Sequence, residues 1–148
     1  MSKVSKEVLK DITRVIPHRY PMIMIDSYSR IDNDNALSEK TFREGDYGCE
    51  NGVVIDSILI ECVAQTAAAH YGYQSLITQD ENPGIGMLVS VDKFNFYQRV
   101  TSTSKIEISI TKTDEIGAFK LFKGEVSLNR QTVAAGNIKV FNPENEDN

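Results

Sequence analysis

Apolar and polar positions repeat along the chain at two spacings, one typical of helices and one typical of strands. Between residues 5 and 15 the apolar residues recur at helical spacing and Pro17 follows, which predicts a short leading helix. Residues 22–31 and 36–42 instead alternate, and a run of Asp and Asn at 32–35 separates them. These two segments predict a β-hairpin.

The middle of the chain is its most apolar part. Residues 43–52 are polar and contain Gly, which predicts a loop. The run that follows is apolar on nearly all sides to about residue 78, as expected of a long buried helix. We expect Asp56 or Ser57 to cap the start of this helix, and Asn-Pro-Gly at residues 82–84 to end it.

Four alternating segments follow the helix, with short turn-like runs between them. They predict antiparallel strands at residues 87–100, 105–113, 119–128 and 132–141. A hairpin, one buried helix and these strands together predict an α+β domain in which a curved antiparallel sheet wraps around one long central helix, the hotdog fold. Such a sheet leaves an open edge, for which dimerisation is a common remedy.

Composition limits the classes of function. The chain has 148 residues, 41% of them hydrophobic, so we expect a single domain over residues 1–148. The net charge of -5 and the scattered Lys and Arg argue against a nucleic acid partner. The polar first residues show neither a signal peptide nor a membrane span, which predicts a cytoplasmic protein without membrane association. Cys49 and Cys62 lack metal-ligand spacing and fit free thiols, and we expect no metal.

One acidic residue, Glu61, lies inside the apolar helix. Burying a carboxylate costs free energy unless it is paired, and a carboxyl group in an apolar environment can act as a general acid or base near neutral pH. Alternatively, Glu61 pairs with a backbone amide or an Arg at a helix kink or subunit contact. Gln65 lies one turn later on the same face, where it either orients the Glu61 carboxyl group or satisfies loop carbonyls as a core amide.

Two motifs resemble those of the FabZ-type 3-hydroxyacyl-[acyl-carrier-protein] dehydratases. The first is Pro-His-Arg-Tyr-Pro at residues 17–21, and the second is the helix region 52–72, with Glu61 followed by an Ala-Gln pair. Further residues are similar to the ApeP-like branch, which occurs in aryl polyene and related clusters: Pro21, Met22, Ala64, Gln65, Ala68, Ala69, His70 and Gly72. The resemblance implies a hotdog fold, dehydration of acyl groups on acyl carrier protein without a cofactor, and a catalytic role for Glu61.

The chain departs from these enzymes where they carry their general base. FabZ-type enzymes have a His in a Gly-His-Phe-Pro-Gly loop, and the corresponding position here is Tyr47. A phenol is a poor base at neutral pH unless a cation or a helix end assists it. Asp46 and His18 are the other candidates, although Asp46 also fits a turn and His18 a structural role before the first strand. Arg19 and Tyr20 are expected to pack and pair locally.

Two functions therefore remain open. In one, the chain is an active dehydratase, a lyase of fatty acid or polyene-type biosynthesis, in which Glu61 and Gln65 act with Tyr47 or His18. In the other, the chain has lost the base and is a non-catalytic hotdog subunit that binds acyl carrier protein or a partner dehydratase. An acyl thioesterase is a weaker third function. The expected partners are the substrate on acyl carrier protein and a second hotdog subunit, in a homodimer or a heterodimer. The core, or the lining of an acyl tunnel, is expected to include Met22, Met24, Met87, Phe94, Phe96 and Tyr97.

Overall fold

A computed structural model describes residues 7–79 and 86–142 of the chain. The elements run in the order β1 (Val8–Leu9), a 3₁₀ turn (Ile12–Arg14), β2 (Ser27–Arg30), β3 (Asn35–Thr41), β4 (Cys49–Glu50), β5 (Val53–Val54), α1 (Asp56–Thr78), β6 (Met87–Phe96), β7 (Lys105–Ile116), β8 (Phe119–Leu128) and β9 (Gln131–Phe141). The hairpin, the long helix and the four later strands are therefore present as predicted.

Seven strands form one antiparallel sheet in the order β1-β2-β3-β7-β8-β9-β6. Strands β4 and β5 form a separate short ladder just before α1. On β7 the buried residues Ile106, Ile108 and Ile110 alternate with more exposed ones, so one face of the sheet is apolar. Helix α1 packs on this face, where it contacts β7, β3 and β8.

Small residues allow close packing on both sides of α1. A Cβ atom on Gly124 of β8 would lie 2.3 Å from a methyl carbon of Val63. A Cβ atom on Gly72 would lie 1.8 Å from the carbonyl oxygen of Val15, which precedes β2. Both distances are far below contact distance, so larger residues at these positions would push α1 away from its neighbours. The helix is thus held between the sheet and the segment before β2.

The prediction of a leading helix over residues 5–15 is wrong for the part of it that the structure describes. Val8 and Leu9 pair with β2, and only Ile12–Arg14 form a single 3₁₀ turn. The buried side chains of Ile12, Val15 and Ile16 account for the helical spacing, because one tight turn is enough to place them on the same side.

The predicted caps of α1 also need correction. Ile55 occupies the N-cap position without a side-chain hydrogen bond, and Asp56 is already the first helical residue. Asp56 still places an acidic group in the first turn, where the helix dipole favours it. At the other end Gln79 adopts a left-handed conformation and its amide donates to the carbonyl of Ser75. The predicted stop at residues 82–84 lies outside the described residues.

Two strands are shorter than predicted. Strand β2 begins at Ser27 instead of residue 22, because the preceding backbone bonds to a side chain of α1. Strand β6 ends at Phe96 instead of residue 100. The amides of Tyr97 and Gln98 both donate to the Val133 carbonyl, which interrupts the ladder.

The expected core position holds for Met24, which is fully buried. It is wrong for Met22, Met87, Phe96 and Tyr97, each of which is exposed, and Phe94 is only partly buried. These residues lie before β2 and on or just after β6, and β6 is an edge strand with no described strand paired to its outer side. No helix of the described residues is long and apolar enough to cross a bilayer.

Candidate active site

Glu61 lies on the side of α1 that faces away from the sheet. Incompletely buried residues recur here at helical spacing, and we call this stripe the open face of α1: Ser57, Glu61, Ala64, Ala68 and Ser75. Glu61 itself is half-buried, and its carboxylate has no hydrogen bond or ion pair with the other described residues. The expected alternative, a pairing with an Arg or a backbone amide, is therefore not found in this part of the chain. The carboxylate is free to meet a substrate or a second subunit.

Gln65 is only 1% exposed, and both ends of its amide are bonded. The backbone amide of Met24 donates to Gln65 Oε1 at 2.7 Å, and Gln65 Nε2 donates to the carbonyl of Met22 at 2.8 Å. Gln65 therefore makes the contacts expected of an amide that satisfies loop backbone groups, and does not bond to Glu61.

His18 lies in the segment before β2, residues 17–26, which we call the strap. The strap runs antiparallel to α1, since Val15 contacts Gly72 just before it begins and Met22 contacts Gln65 further along. His18 follows Val15 and precedes Met22, so it lies on the Gly72 side of Gln65, whereas Glu61 lies on the other side. Nδ1 of His18 is buried without a hydrogen-bond partner among the described residues. A catalytic imidazole normally has such a partner to fix its tautomer and orientation.

The side chain of Tyr47 is 55% exposed and has no hydrogen bond within the described residues. Its loop does approach the helix, because a Cβ atom on Gly48 would lie 2.8 Å from Ile58, one turn before Glu61. The neighbouring Asp46 accepts a hydrogen bond from the Arg43 amide at 2.8 Å. Asp46 therefore forms a turn, and Tyr47 makes no hydrogen bond or ring contact with the other described residues that would activate its hydroxyl group.

The other histidine, His70, serves as an anchor of α1. Its Nε2 lies 2.7 Å from the carbonyl oxygen of Asn33 and its Nδ1 lies 2.6 Å from the hydroxyl of Tyr28. Because a carbonyl only accepts, Nε2 carries the proton and Nδ1 accepts from Tyr28. Burial lowers the pKa of His70 and raises the pKa of Tyr28. Nine residues of helix, about 13 Å, separate His70 from Glu61.

Of the two strap residues expected to pack and pair locally, Arg19 and Tyr20, only Arg19 does so. Arg19 does pair locally, donating to the carbonyls of Ile16 and His18 at 3.0 Å and 2.7 Å. Tyr20 does not pack, since its side chain is 88% exposed.

An ion pair between Lys40 and Asp26 was not found by reading the sequence. Lys40 Nζ lies 3.3 Å from Asp26 Oδ1 and 5.2 Å from the centre of the Phe42 ring. The Lys40 side chain is only 13% exposed, because it points to the helix side of β3. Asp26 also accepts from the Thr41 amide at 2.8 Å, which ties the end of the strap to β3. The sequence did contain one signal for this ion pair, because Lys40 is a charged residue at an inward-facing position of a strand in which buried and exposed residues alternate.

Potential metal-ligating side chains do not cluster within the described residues. Within residues 7–79 and 86–142, no three His, Cys, Asp or Glu side chains come together as a metal-binding group. Both cysteines are free thiols, and burial raises the pKa of Cys62 more than the nearby Lys40 lowers it.

Comparison with known families agrees with the helix and strap motifs. A family model named ApeP-like and described as ApeP dehydratase matches residues 10–148. The chain belongs to the ApeP-like dehydratase family. The resemblance stated from the motifs of the strap and α1 is thereby confirmed, and the chain has a dehydratase-like function.

Curated relatives of this ApeP-like protein extend over nearly its whole length. The 3-hydroxyacyl-[acyl-carrier-protein] dehydratase FabZ of Sinorhizobium fredii is 27% identical over 145 residues, which cover 94% of this chain and 92% of the relative. The FabZ protein of Clostridium tetani is 29% identical over 139 residues, covering 88% of this chain and 93% of the relative.

A solved structure has the same fold. One chain of the dehydratase heterocomplex ApeI:P from Xenorhabdus doucetiae superposes with a TM-score of 0.82 at 19% identity, covering 89% of this chain and 90% of that chain. The predicted hotdog fold is confirmed by this likeness together with the helix packed on the antiparallel sheet.

Proposed function

We propose that this ApeP-like protein acts in the dehydration of 3-hydroxyacyl groups carried by acyl carrier protein, with Glu61 as the acid. The observation that carries the proposal is the half-buried, unpaired carboxylate of Glu61 on the open face of a helix that matches a dehydratase family. Its FabZ relatives are named for this reaction, which supports the same substrate class here.

The reaction defines what the site must supply. A base removes a proton from the carbon next to the thioester carbonyl, the C–O bond at the 3-position breaks, and an acid protonates the hydroxyl so that it leaves as water. We assign the last step to Glu61, which then regains its proton from the base or solvent. The start of α1 lies less than two turns from Glu61, and its partial positive charge favours the negative charge that develops on the thioester oxygen.

We propose that the base comes from a second subunit. Tyr47 and His18 remain candidates, but in the protomer Tyr47 is mostly exposed and His18 lies beyond Gln65 from Glu61. The exposed edge of β6 offers a surface through which such a subunit could pair with this chain. The partner is a second copy of this chain or another hotdog subunit, and the heterocomplex formed by the solved neighbour supports the second.

A non-catalytic role in such a complex is the second candidate. It is favoured by the loop in which Asp46 forms a turn and Tyr47 has no hydrogen-bond partner within residues 7–79 and 86–142. In that case the protein supports a complete dehydratase subunit and binds acyl carrier protein without performing the reaction. The free thiols of Cys49 and Cys62 support the cytoplasm as the location of either function.

The test is dehydration of 3-hydroxyacyl groups on acyl carrier protein by the purified protein, alone and with any hotdog subunit that co-purifies. Glu61→Gln removes the acid while keeping the shape of the side chain, and we expect at least about 100-fold lower turnover. Glu44→Gln is the matched control, since Glu44 is an exposed loop residue, and it should leave turnover unchanged. Full turnover by the Glu61→Gln protein would refute the catalytic role, and activity of the complex without dependence on Glu61 would establish the non-catalytic one.

A further inference from the structure

The strap is held against the rest of the protein at three points. Before its start, the Val15 carbonyl lies so close to Gly72 that no side chain fits between them. In its middle, Met22 and Met24 bond to the Gln65 side chain. At its end, Asp26 bonds to the Thr41 amide and to Lys40 of β3. A segment without regular secondary structure is therefore fixed along most of its length.

Gln65 makes the middle one of these three contacts. Its side-chain amide bonds to the backbone of the strap in the way that a neighbouring β-strand would. One end of its amide accepts from a strap N–H and the other end donates to a strap carbonyl two residues earlier. Because Gln65 is buried, loss of either bond leaves a polar group without water or partner. This double contact is the link between the strap and the first half of α1.

The strap forms one border of the open face of α1. Gln65 is one helical turn after Glu61, and the two side chains are about 40° apart around the helix axis. Gln65 points to the strap, and Glu61 lies beside it on the open face. The Met22 side chain is 45% exposed although its backbone carbonyl is bonded to Gln65, so the strap presents an apolar side chain to solvent at this level of α1. The position of the strap relative to the turn of α1 that carries Glu61 therefore depends on Gln65.

We propose that Gln65 is a positioning residue of the dehydration site, because it fixes the strap along the turn of α1 that carries Glu61. The proposal rests on the proposed function of Glu61 for its catalytic part. An acyl chain bound along the open face would have the strap as one border, and a loosened strap would let the substrate shift relative to the carboxyl group. Gln65 itself does not exchange protons with the substrate.

The decisive variant is Gln65→Glu, compared with Gln65→Leu. A protonated carboxylic acid reproduces both contacts, since its carbonyl accepts from Met24 and its O–H donates to Met22. An ionised carboxylate keeps only the first contact and repels the carbonyl of Met22. Burial favours the neutral form, so we expect the strap to be held at about pH 6 and loosened at about pH 8.5 in this variant. Leucine makes neither contact at either pH.

Hydrogen exchange at the Met24 amide measures the strap without any substrate. We expect exchange at least about tenfold faster than in the wild type, after correction for the intrinsic pH effect, in Gln65→Leu at both pH values and in Gln65→Glu only at the higher pH. Glu61→Gln should leave this exchange unchanged. Equal protection of Met24 in the wild type and all Gln65 variants would refute the strap contact.

Turnover by the active form, alone or in its complex, measures the positioning role. We expect Gln65→Glu to retain activity at about pH 6 and to lose about tenfold in kcat/KM at about pH 8.5 relative to the wild type at the same pH. A strap that loosens without this loss would overturn the positioning role. If Glu61 is not catalytic but Gln65 does hold the strap, Glu61→Gln remains active while the exchange pattern of the Gln65 variants persists. Failure of the catalytic role of Glu61 is therefore distinguishable from failure of the strap contact. If Gln65→Leu does not fold, the pH dependence of Gln65→Glu alone decides both outcomes.

Discussion

The buried polar side chains of α1 each bond to a different part of the chain. Gln65 bonds to the strap, Thr66 bonds to Ser38 of β3, and His70 bonds to Tyr28 of β2. Buried polar groups cost free energy unless they are paired, so each pair is satisfied only at one rotation and one depth of the helix. The same contacts that hold α1 in place therefore determine which way Glu61 faces.

The His70 contact predicts a pH dependence of stability. Burial, with smaller contributions from Arg30 and Lys112, lowers the pKa of folded His70 below the value of about 6.5 expected in the unfolded chain. Below pH 6.5 the unfolded chain therefore binds more protons than the folded protein, and stability falls as the pH drops. We expect a lower urea midpoint at about pH 5.5 than at about pH 7.5, and a smaller difference in His70→Gln. The same pH dependence in both proteins would contradict this role of His70.

Among the elements, those with local signals were the ones predicted from the sequence. Helix α1 and strands β7, β8 and β9 have the expected type and nearly the expected bounds, because their apolar periodicity is regular and short turns separate them. The strap gave no such signal. Its Met24 amide bonds to a side chain 41 residues away in sequence, and no local pattern encodes that contact.

In the candidate site too, residues with a local sequence signal were predicted, and contacts between distant segments were not. Glu61 was found because a carboxylate interrupts an apolar helix, which is a local feature. The pairing of Lys40 with Asp26 and the buried nitrogen of His18 depend on packing between distant segments. Tyr47 was placed only by comparison with a family motif, and the structure leaves it without a supporting contact among the described residues.

The contact between helix α1 and Val15, just before the strap, reverses the usual effect of replacing glycine in a helix. Ala in place of Gly normally stabilises a helix by up to about 1 kcal/mol. At Gly72 the added methyl group would lie 1.8 Å from the Val15 carbonyl oxygen, and backbone atoms cannot move aside as a side chain can. We expect Gly72→Ala to destabilise the protein by about 1–3 kcal/mol in urea unfolding. Gln74→Ala, at an exposed position two residues later, is the control and should change stability by less than about 0.5 kcal/mol. A Gly72→Ala protein as stable as the wild type would mean that the backbone around Val15 moves aside easily.

At the scale of the whole molecule, apolar surface is concentrated on one edge of the sheet. The edge strand β1 has 2 residues, whereas the other edge strand, β6, has 10 and almost all of them are exposed. The exposed residues include Met87, Leu88, Val89, Val91 and Phe96. A long apolar edge with free backbone groups invites pairing with another chain, and Asp92 and Lys93 are the charged residues along it. The open face of α1, which carries Glu61, remains partly exposed in the described part of the same protomer.

A charge on this edge should therefore separate the subunits. Val89 is 47% exposed on β6, and a lysine there would have to be buried in a paired edge, at a cost that an apolar residue avoids. We expect light scattering after size exclusion to give at least twice the 16.6 kDa chain mass for the wild type and the chain mass itself for Val89→Lys. Asn137→Lys is the matched control, because Asn137 is exposed on the covered strand β9, and it should leave the assembly intact. If the Val89→Lys protein keeps the wild-type mass, β6 is not the assembly edge, and the base that completes the Glu61 site must come from within the protomer or across another surface.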